Sequence, residues 1–217
     1  MRIVVGASEG RRTILQRTAL DEVSVPEHLR ARDRALFGPG LSIEETVARI
    51  VRAVRDEGDA AVRRFNAALD GSADRPIAVG REEIAAAYAD PSITSELVAA
   101  LREAATRIRV YHEAQLRHAQ RSFHAAGLGQ VVRPLRRAGV YMPGTAIVYP
   151  SSLLMTAIPA AVAGVDEIYV CSAAGSDGKV PAIKLVAADI AGCTGVFAAG
   201  GAQAVAAMAY GTESVPR

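Results

Sequence analysis

Residues 139–170 read GVYMPGTAIVYPSSLLMTAIPAAVAGVDEIYV, and this stretch decides the fold. It begins with a short β-rich run, continues as an apolar helix over 151–163 that Gly164 closes, and returns to a second β-rich run. Two such runs around a glycine-closed helix, within about 30 residues, are typical of one β-α-β unit. Strands joined by a crossover of this kind are parallel, and the connection is right-handed.

The same pattern follows a second time. The runs GVY, EIY and GVF start 28 residues apart, at positions 139, 167 and 195. A second helix over 180–191, closed by Gly192, lies between the last two runs. Three parallel strands with helical crossovers predict the α/β class. We therefore expect an incomplete Rossmann-like, doubly wound parallel sheet in residues 131–217, with the three runs as adjacent strands.

Before residue 131 the sequence favours helices. Ser42 and Glu45 form a capping-box pair at the start of one helix, and Asp59 is placed to cap the next. The longest predicted helix covers 92–117, with an apolar stripe that consists of Ile93, Leu97, Leu101, Ala104, Ile108 and Tyr111. We expect three parts: an N-terminal arm over 1–40, a mainly helical segment of an incomplete domain over 41–130, and the Rossmann-like domain over 131–217.

The composition is that of an ordinary globular protein, since 50% of the 217 residues are apolar and 22% are charged. A net charge of +2 and an aromatic content of 5% argue against a nucleic-acid partner, and no apolar run is long enough to span a bilayer. Cys171 and Cys193 lack CxxC spacing and lie in apolar runs. We interpret them as free thiols of a reducing compartment, which predicts a cytoplasmic protein.

The loops that follow the predicted strands carry the candidate binding residues, because ligands of such sheets bind at the carboxyl ends of the strands. The first loop, YMPGTAIVYPSS, turns at Pro143 and Gly144. Ser151 and Ser152 then start a helix, where they either cap it or help to bind an anion. Tyr141, at the end of the first strand, is either a core residue or a cofactor contact.

The third loop, AAGGAQA, carries Gly200, Gly201 and Gln203. The two glycines let the backbone approach a ligand closely, and Gln203 offers both a donor and an acceptor at the start of a helix. A Gly-Gly pair is also common in a tight turn without a ligand, and the GxGxxG motif is absent. Together the two loops indicate a nucleotide-like ligand, but they assign no reaction.

The sequence predicts neither a catalytic residue nor a metal ligand within this chain. The histidines all precede the α/β part and lack the spacing of a metal-binding pair: His28, His112, His118 and His124. Asp166 and Glu167 precede a strand, at the edge of the sheet opposite the candidate loops.

Longer motifs point to a family. The stretch AGVYMPGTAIVYPSSLLMTAIPAAVAGVDEIYVCSAAGSDGKV (138–180), followed by AADIAGC and GGAQAVAAMAYGTESVPR, closely resembles the dinucleotide-binding portion of histidinol dehydrogenase. A weaker similarity continues upstream through VRDEGDAAVRRFNAALD, REEIAAAY and IRVYHEAQ, so that the resemblance covers about 41–217.

The resemblance implies an NAD-dependent oxidoreductase that converts L-histidinol to L-histidine through an aldehyde, in histidine biosynthesis. It also implies a zinc ion that holds the substrate, a Glu-His pair for acid-base chemistry, and an intertwined homodimer. By the same resemblance, the NAD contacts fall on Tyr141 and Gln203, in the loops that carry Gly144, Gly200 and Gly201. Thr145 departs from the family, which has a second glycine there, and a positive φ would strain a threonine.

In the family, the zinc ligands, the Glu-His pair and a cofactor-binding Gly-Pro-Gly-Asn loop all follow the segment that corresponds to GTESVP. We therefore expect a truncated form that alone neither binds zinc tightly nor oxidises histidinol. Two alternatives stay open: a related NAD-dependent dehydrogenase of another amino alcohol or diol, and a non-catalytic nucleotide-binding module. We also expect the absence of the covering chain to leave an exposed apolar face on the 92–117 helix and to cause self-association.

Overall fold

The computed structural model describes residues 3–16, 26–71, 75–144, 148–175 and 177–217, without the side chains of residues 28, 29 and 70. Contacts divide the chain into two compact units, Met1–Thr46 and Val47–Arg217. The domain boundaries expected at residues 40 and 130 stay predictions. No helix within the described ranges is long and apolar enough to cross a membrane.

The first unit contains α1 (Ala7–Arg12), α2 (Glu27–Phe37) and the start of α3 (Ile43–Glu57). The predicted capping box is present at the start of α3. The backbone N–H of Ser42 donates to Glu45 Oε2 over 2.7 Å, and the N–H of Glu45 donates to Ser42 Oγ over 3.2 Å. These reciprocal bonds use N–H groups that the first helical turn leaves without intrahelical acceptors, and they fix the start of α3.

The second unit is a layered α/β structure. Its further helices are α4 (Asp59–Asp70), α5 (Arg81–Ala86), α6 (Ser95–Arg117), α7 (Pro150–Val162), α8 (Ala182–Ala191) and α9 (Gly201–Tyr210). Its strands are β1 (Phe123–Ala125), β2 (Leu128–Gln130), β3 (Arg137–Met142), β4 (Glu167–Ser172) and β5 (Gly195–Ala198). A 3₁₀ turn over Ala87–Ala89 follows α5, and β1 and β2 form a separate antiparallel hairpin.

The strands β3, β4 and β5 are parallel and adjacent in that order, which confirms the predicted sheet and the α/β class. The runs GVY, EIY and GVF nevertheless do not pair first residue with first residue, because EIY is displaced relative to the other two. Tyr169 lies opposite Gly139 on one side and opposite Gly195 on the other. The second side of β5 is covered by a short antiparallel bridge between Ala78 and Phe197.

Helices cover both faces of the sheet, as a doubly wound arrangement requires. The crossover helices α7 and α8 pack against each other, and α6 packs across both of them. By contrast, α9 contacts β3, β4 and α4, and so it lies on the opposite face. Glycine at position 139 allows this contact, because a Cβ there would lie 2.6 Å from Met208 Sδ.

The prediction of an uncovered apolar face on the 92–117 helix is wrong over most of its length. All residues of the stripe but one are buried or half-buried against the core that α7 and α8 share: Ile93, Leu97, Leu101, Ala104 and Ile108. Tyr111, at the end of the stripe, is 67% exposed. The stripe on α6 is covered because α7 and α8 are apolar on most sides, so that together they pack against the sheet on one side and against α6 on the other. Self-association stays a prediction.

The predicted cap at Asp59 is also wrong. Asp59 is the first residue of α4, and the N-cap position belongs to Gly58, so the Asp59 side chain does not cap the helix. Instead, Glu213 Oε2 accepts a hydrogen bond from the N–H of Asp59 over 2.8 Å. The Asp59 carboxylate accepts from the N–H and O–H of Ser214, over 3.2 and 2.5 Å. Burial acts to raise the pKa of Asp59, but hydrogen bonds led by those from Ser214 outweigh it and hold the pKa below its ordinary value.

Candidate dinucleotide-binding site

Two of the predicted loops come together where β3, β4 and β5 end. The phenol oxygen of Tyr141 accepts a hydrogen bond from the backbone N–H of Gly201, the first residue of α9, over 3.1 Å. Tyr141 is 37% exposed, so the interpretation as a core residue is wrong. The bond connects the end of β3 to the loop after β5 at the carboxyl edge of the sheet.

Two glycines at this edge have backbone conformations that favour glycine. The φ angle is 76° at Gly144 and 57° at Gly201, both in the left-handed region. Gly200 has a φ of −110°, which any residue adopts. Thr145, where the sequence predicts strain, lies outside the described residues.

Ser151 and Ser152 do not cap the helix that they were expected to start. The helix α7 begins one residue earlier, at Pro150, and it has no side-chain cap. Both serines are exposed, and the N–H of Ser152 donates to the carbonyl of Tyr149 over 3.1 Å. The capping interpretation is therefore wrong, and anion binding by these serines stays a prediction.

Gln203 is fully buried beneath the start of α9. Its Nε2 donates to Asn66 Oδ1 on α4 over 3.3 Å, and Asn66 Nδ2 donates to the carbonyl of Ala198, at the end of β5, over 2.7 Å. Gln203 Oε1 has no hydrogen-bond partner among the described residues. A buried amide oxygen without a donor is unfavourable. Gln203 Oε1 can therefore still accept a hydrogen bond next to the loop.

The first turn of α9 can bind an anion. The first N–H groups of a helix have no intrahelical acceptors, and Gly200, at the N-cap of α9, has no side chain to bond them. The N–H of Gly201 donates to Tyr141. The N–H of Ala204 donates to the carbonyl of Gly200 over 3.1 Å, so the N–H groups of Ala202 and Gln203 lie in the first turn, before the helical ladder begins. The helix dipole places partial positive charge at this end, and phosphate groups bind at such turns.

A buried lysine lies beside the loop after β3. Lys184 is 1% exposed, and its Nζ donates to the carbonyls of Pro143, over 3.0 Å, and Gly144, and to Ser172 Oγ over 3.0 Å. All three acceptors are neutral, and no carboxylate in the described part of the chain pairs with this ammonium. Burial lowers the pKa of Lys184. An uncompensated positive charge therefore lies close to the candidate site.

The cysteines add no reactive group. Cys171 and Cys193 are free, as predicted. Burial raises the pKa of each thiol to about 12, and Asp189 adds to the effect at Cys193, so both are protonated at neutral pH. Among the described residues, no three His, Cys, Asp or Glu side chains are grouped so that they could hold a metal ion. The zinc that the resemblance implies thus has no donor set in this part of the chain.

Asn66 and Lys184 were missed at the level of the sequence, although each carries a signal. Asn66 falls on the apolar face of its helix, four residues after Val62. Lys184 is one of only two lysines and interrupts the apolar run PAIKLVAADIAG. A polar residue within an apolar helical face needs hydrogen-bond partners once it is buried, and such positions are worth marking in advance.

The fold and this edge define the class: an α/β protein with a Rossmann-like, doubly wound parallel sheet. The family model described as histidinol dehydrogenase matches residues 40–217. The chain belongs to the histidinol dehydrogenase family, as its motifs indicated.

Individual relatives agree with the family model. The histidinol dehydrogenase of Deinococcus radiodurans is 43% identical over 217 residues, which cover 100% of this chain and 48% of the relative. That of Moorella thermoacetica is 48% identical over 173 residues, covering 78% and 40%. The crystal structure of histidinol dehydrogenase from Elizabethkingia anophelis matches with a TM-score of 0.74 at 27% identity, over 82% of this chain and 41% of that chain. The chain thus spans less than half the length of these relatives.

Proposed function

We propose that residues 131–217 bind NAD at the carboxyl edge of the sheet, as the dinucleotide-binding domain of a histidinol dehydrogenase. The observation that carries the proposal is the contact of Tyr141 with Gly201, which sets an aromatic ring against the open first turn of α9. Tyr141 and Gln203 contact the cofactor, and the glycines of the two loops let the backbone approach it: Gly144, Gly200 and Gly201. When bound, NAD accepts the hydride that an alcohol loses on oxidation.

The residues at this edge suit the parts of a dinucleotide. The open N–H groups at the start of α9 donate to phosphate oxygens. The exposed ring of Tyr141 offers a flat apolar surface on which a base or nicotinamide ring stacks. Gln203 Oε1 lacks a donor among the described residues and is fully buried beside Gly201, so it accepts from an N–H or O–H group of the ligand once the turn at Gly201 moves aside.

For the whole protein we propose the reaction of the family, which is the NAD-dependent oxidation of L-histidinol to L-histidine through the aldehyde, in histidine biosynthesis. A zinc-dependent, cytoplasmic homodimer belongs to the same proposal. Because the described residues contain no donor set for zinc, we expect the isolated 217-residue chain to bind NAD without oxidising histidinol.

Calorimetric titration of the purified chain with NAD tests this proposal. We expect Tyr141→Ala to weaken binding about 10- to 100-fold, because it removes a stacking surface for the ligand. Tyr210→Ala is the matched control, since Tyr210 is 44% exposed at the other end of α9. The proposal is wrong if the unaltered chain does not bind NAD, or if both variants bind it as the unaltered chain does.

A further inference from the structure

Lys184 is a buried charge that packing alone does not explain. It lies in the first turn of α8 and is 1% exposed. Removal of an ammonium group from water is unfavourable unless hydrogen bonds replace its hydration. A methionine would fill a similar space without this penalty. The contacts of the ammonium group therefore indicate what the lysine does.

The three acceptors of Lys184 come from two neighbouring strands. The last paired residues of β3 and β4 are Met142 and Ser172, which lie opposite each other. Lys184 Nζ donates to Ser172 Oγ and to the carbonyls of Pro143 and Gly144, the two residues after β3. An ammonium group has three N–H donors, and here each has an acceptor. Lys184 thus continues the connection between β3 and β4 past the point where the ladder ends.

We infer that Lys184 is a positioning residue of the cofactor site, whose ammonium group holds the backbone after β3 against the end of β4 and thereby sets Tyr141 against the first turn of α9. The inference rests on the proposed binding of NAD at this edge. Its geometric basis is Gly144, whose φ of 76° lets two successive carbonyls reach one ammonium group. Tyr141 lies only two residues before Pro143, so a shift of this backbone moves the ring directly.

The charge of Lys184 has a second consequence. Its neutral acceptors leave the positive charge uncompensated, and the first turn of α9 adds partial positive charge at the same edge. The edge therefore favours an anionic ligand, such as the pyrophosphate of a dinucleotide, over a neutral one. The lowered pKa of Lys184 agrees with this description, because its cause is burial.

The first test compares Lys184→Met with Lys179→Met, which makes the same chemical change at an exposed lysine five positions earlier. Hydrogen exchange is followed by mass spectrometry in peptides that cover 139–148 and 195–210, and NAD affinity is measured by calorimetry. We expect K184M to exchange at least about 10-fold faster in the first peptide and to bind NAD about 10-fold more weakly. We expect K179M to resemble the unaltered chain in both measurements.

The second test needs no substitution. Because Lys179 and Lys184 are the only lysines, a chain that carries ε-¹⁵N-lysine gives two side-chain amine signals. The signal of buried Lys184 should shift when NAD is added, since the ligand contacts the segment that this ammonium holds. The signal of Lys179 should stay in place.

The outcomes separate the inference from the proposal beneath it. If the unaltered chain binds no NAD, the proposed function fails, and the positioning role fails with it. If it binds NAD while the Lys184 signal does not move and K184M matches it within twofold, only the inference is overturned. Equally faster exchange of K184M in a peptide far from this edge, such as the β1–β2 hairpin over 123–130, also overturns it, because that result shows a general structural role.

Discussion

The two edges of the three-stranded sheet hold charge in different ways. At the amino edge, Arg137 Nε donates to Glu167 Oε2 over 2.8 Å, and Tyr169 Oη donates to the same oxygen over 2.6 Å. These two bonds, with Arg137 the stronger influence, hold the pKa of Glu167 below its ordinary value. At the carboxyl edge, Lys184 has neutral acceptors, and Gln203 Oε1 has no partner within the described ranges.

This difference separates an edge whose charged groups are paired from the edge that we propose as the ligand-binding edge. Charged groups at the amino edge pair with one another, since Glu167 lies 2.8 Å from Arg137 Nε and 3.8 Å from Arg136 Nε. The carboxyl edge keeps an excess of positive charge, open N–H groups and an unused acceptor. Unused bonding capacity therefore supports the proposal that a ligand binds at the carboxyl edge, where ligands of parallel sheets generally bind.

The largest effect is expected at the carboxyl edge, for Gly201→Ala. The change forces alanine to a φ of 57° and places its Cβ 2.5 Å from Gln203 Oε1. We expect it to reduce the free energy of unfolding by about 1–3 kcal/mol, because left-handed alanine is strained. Urea unfolding measures this loss. Gly200→Ala is the control, since its φ of −110° suits alanine, and equal losses in the two variants would show that the positive φ of Gly201 is not the cause.

A smaller and pH-dependent effect is expected near the amino edge, for Asp59→Asn. A carboxylate with a lowered pKa contributes stability that is fully present above its unfolded pKa, near 3.8, and is lost as the pH falls through the folded value. We expect the variant to lose about 1 kcal/mol at pH 7, and the gap to shrink below about pH 4.

Urea unfolding of Asp59→Asn and the unaltered chain at pH 7, pH 5 and pH 3.5 follows this gap. Asp56→Asn removes the same charge from an exposed position on α3 and serves as the control. A gap of the same size at every pH would mean that the shape of Asp59, rather than its charge, stabilises the start of α4.

The smallest effect is expected for Arg137→Ala. The ion pair with Glu167 is partly exposed, with side chains 33% and 27% accessible, and such pairs contribute little. We expect Tm to fall by at most about 2–4 °C and the affinity for NAD to stay unchanged. Thermal melting and calorimetry measure the two quantities. A tenfold change in NAD affinity would show that the amino edge also takes part in binding.

The sheet could be predicted because its signals are local. Apolar runs, helical spacing and closing glycines lie within each β-α-β unit, and they located β3, β4 and β5. The two predictions about the fold that are wrong, the uncovered face of α6 and the cap at Asp59, both concern contacts between distant segments. The apolar stripe on α6 is covered by α7 and α8, and the start of α4 is capped by Glu213, which lies 154 residues away. No local pattern near Asp59 contains that information.

The candidate site, like the fold, has features that local sequence predicts and features that depend on contacts between distant segments. Gly144 and Gly201 could be marked from the sequence because each lies in a loop that follows a predicted strand and precedes a predicted helix. The structure gives both a positive φ. Asn66 and Lys184 could be noticed as polar residues on apolar faces, but their acceptors follow only from the tertiary arrangement. The cofactor contacts of Tyr141 and Gln203 came from family resemblance, and they stay predictions until NAD binding is measured.

Because the start of α4 is capped by Glu213, far along the chain, α4 cannot gain its cap until late in synthesis. Asp59 and Glu213 are 154 residues apart, and ribosomes add about 5–20 residues per second, so α4 emerges roughly 8–30 s before its cap is made. For most of that interval α9 has not been made either, so the contacts between α4 and α9 are absent. The nascent chain of this protein therefore carries an early helix whose partner segment is translated much later, a condition that favours aggregation.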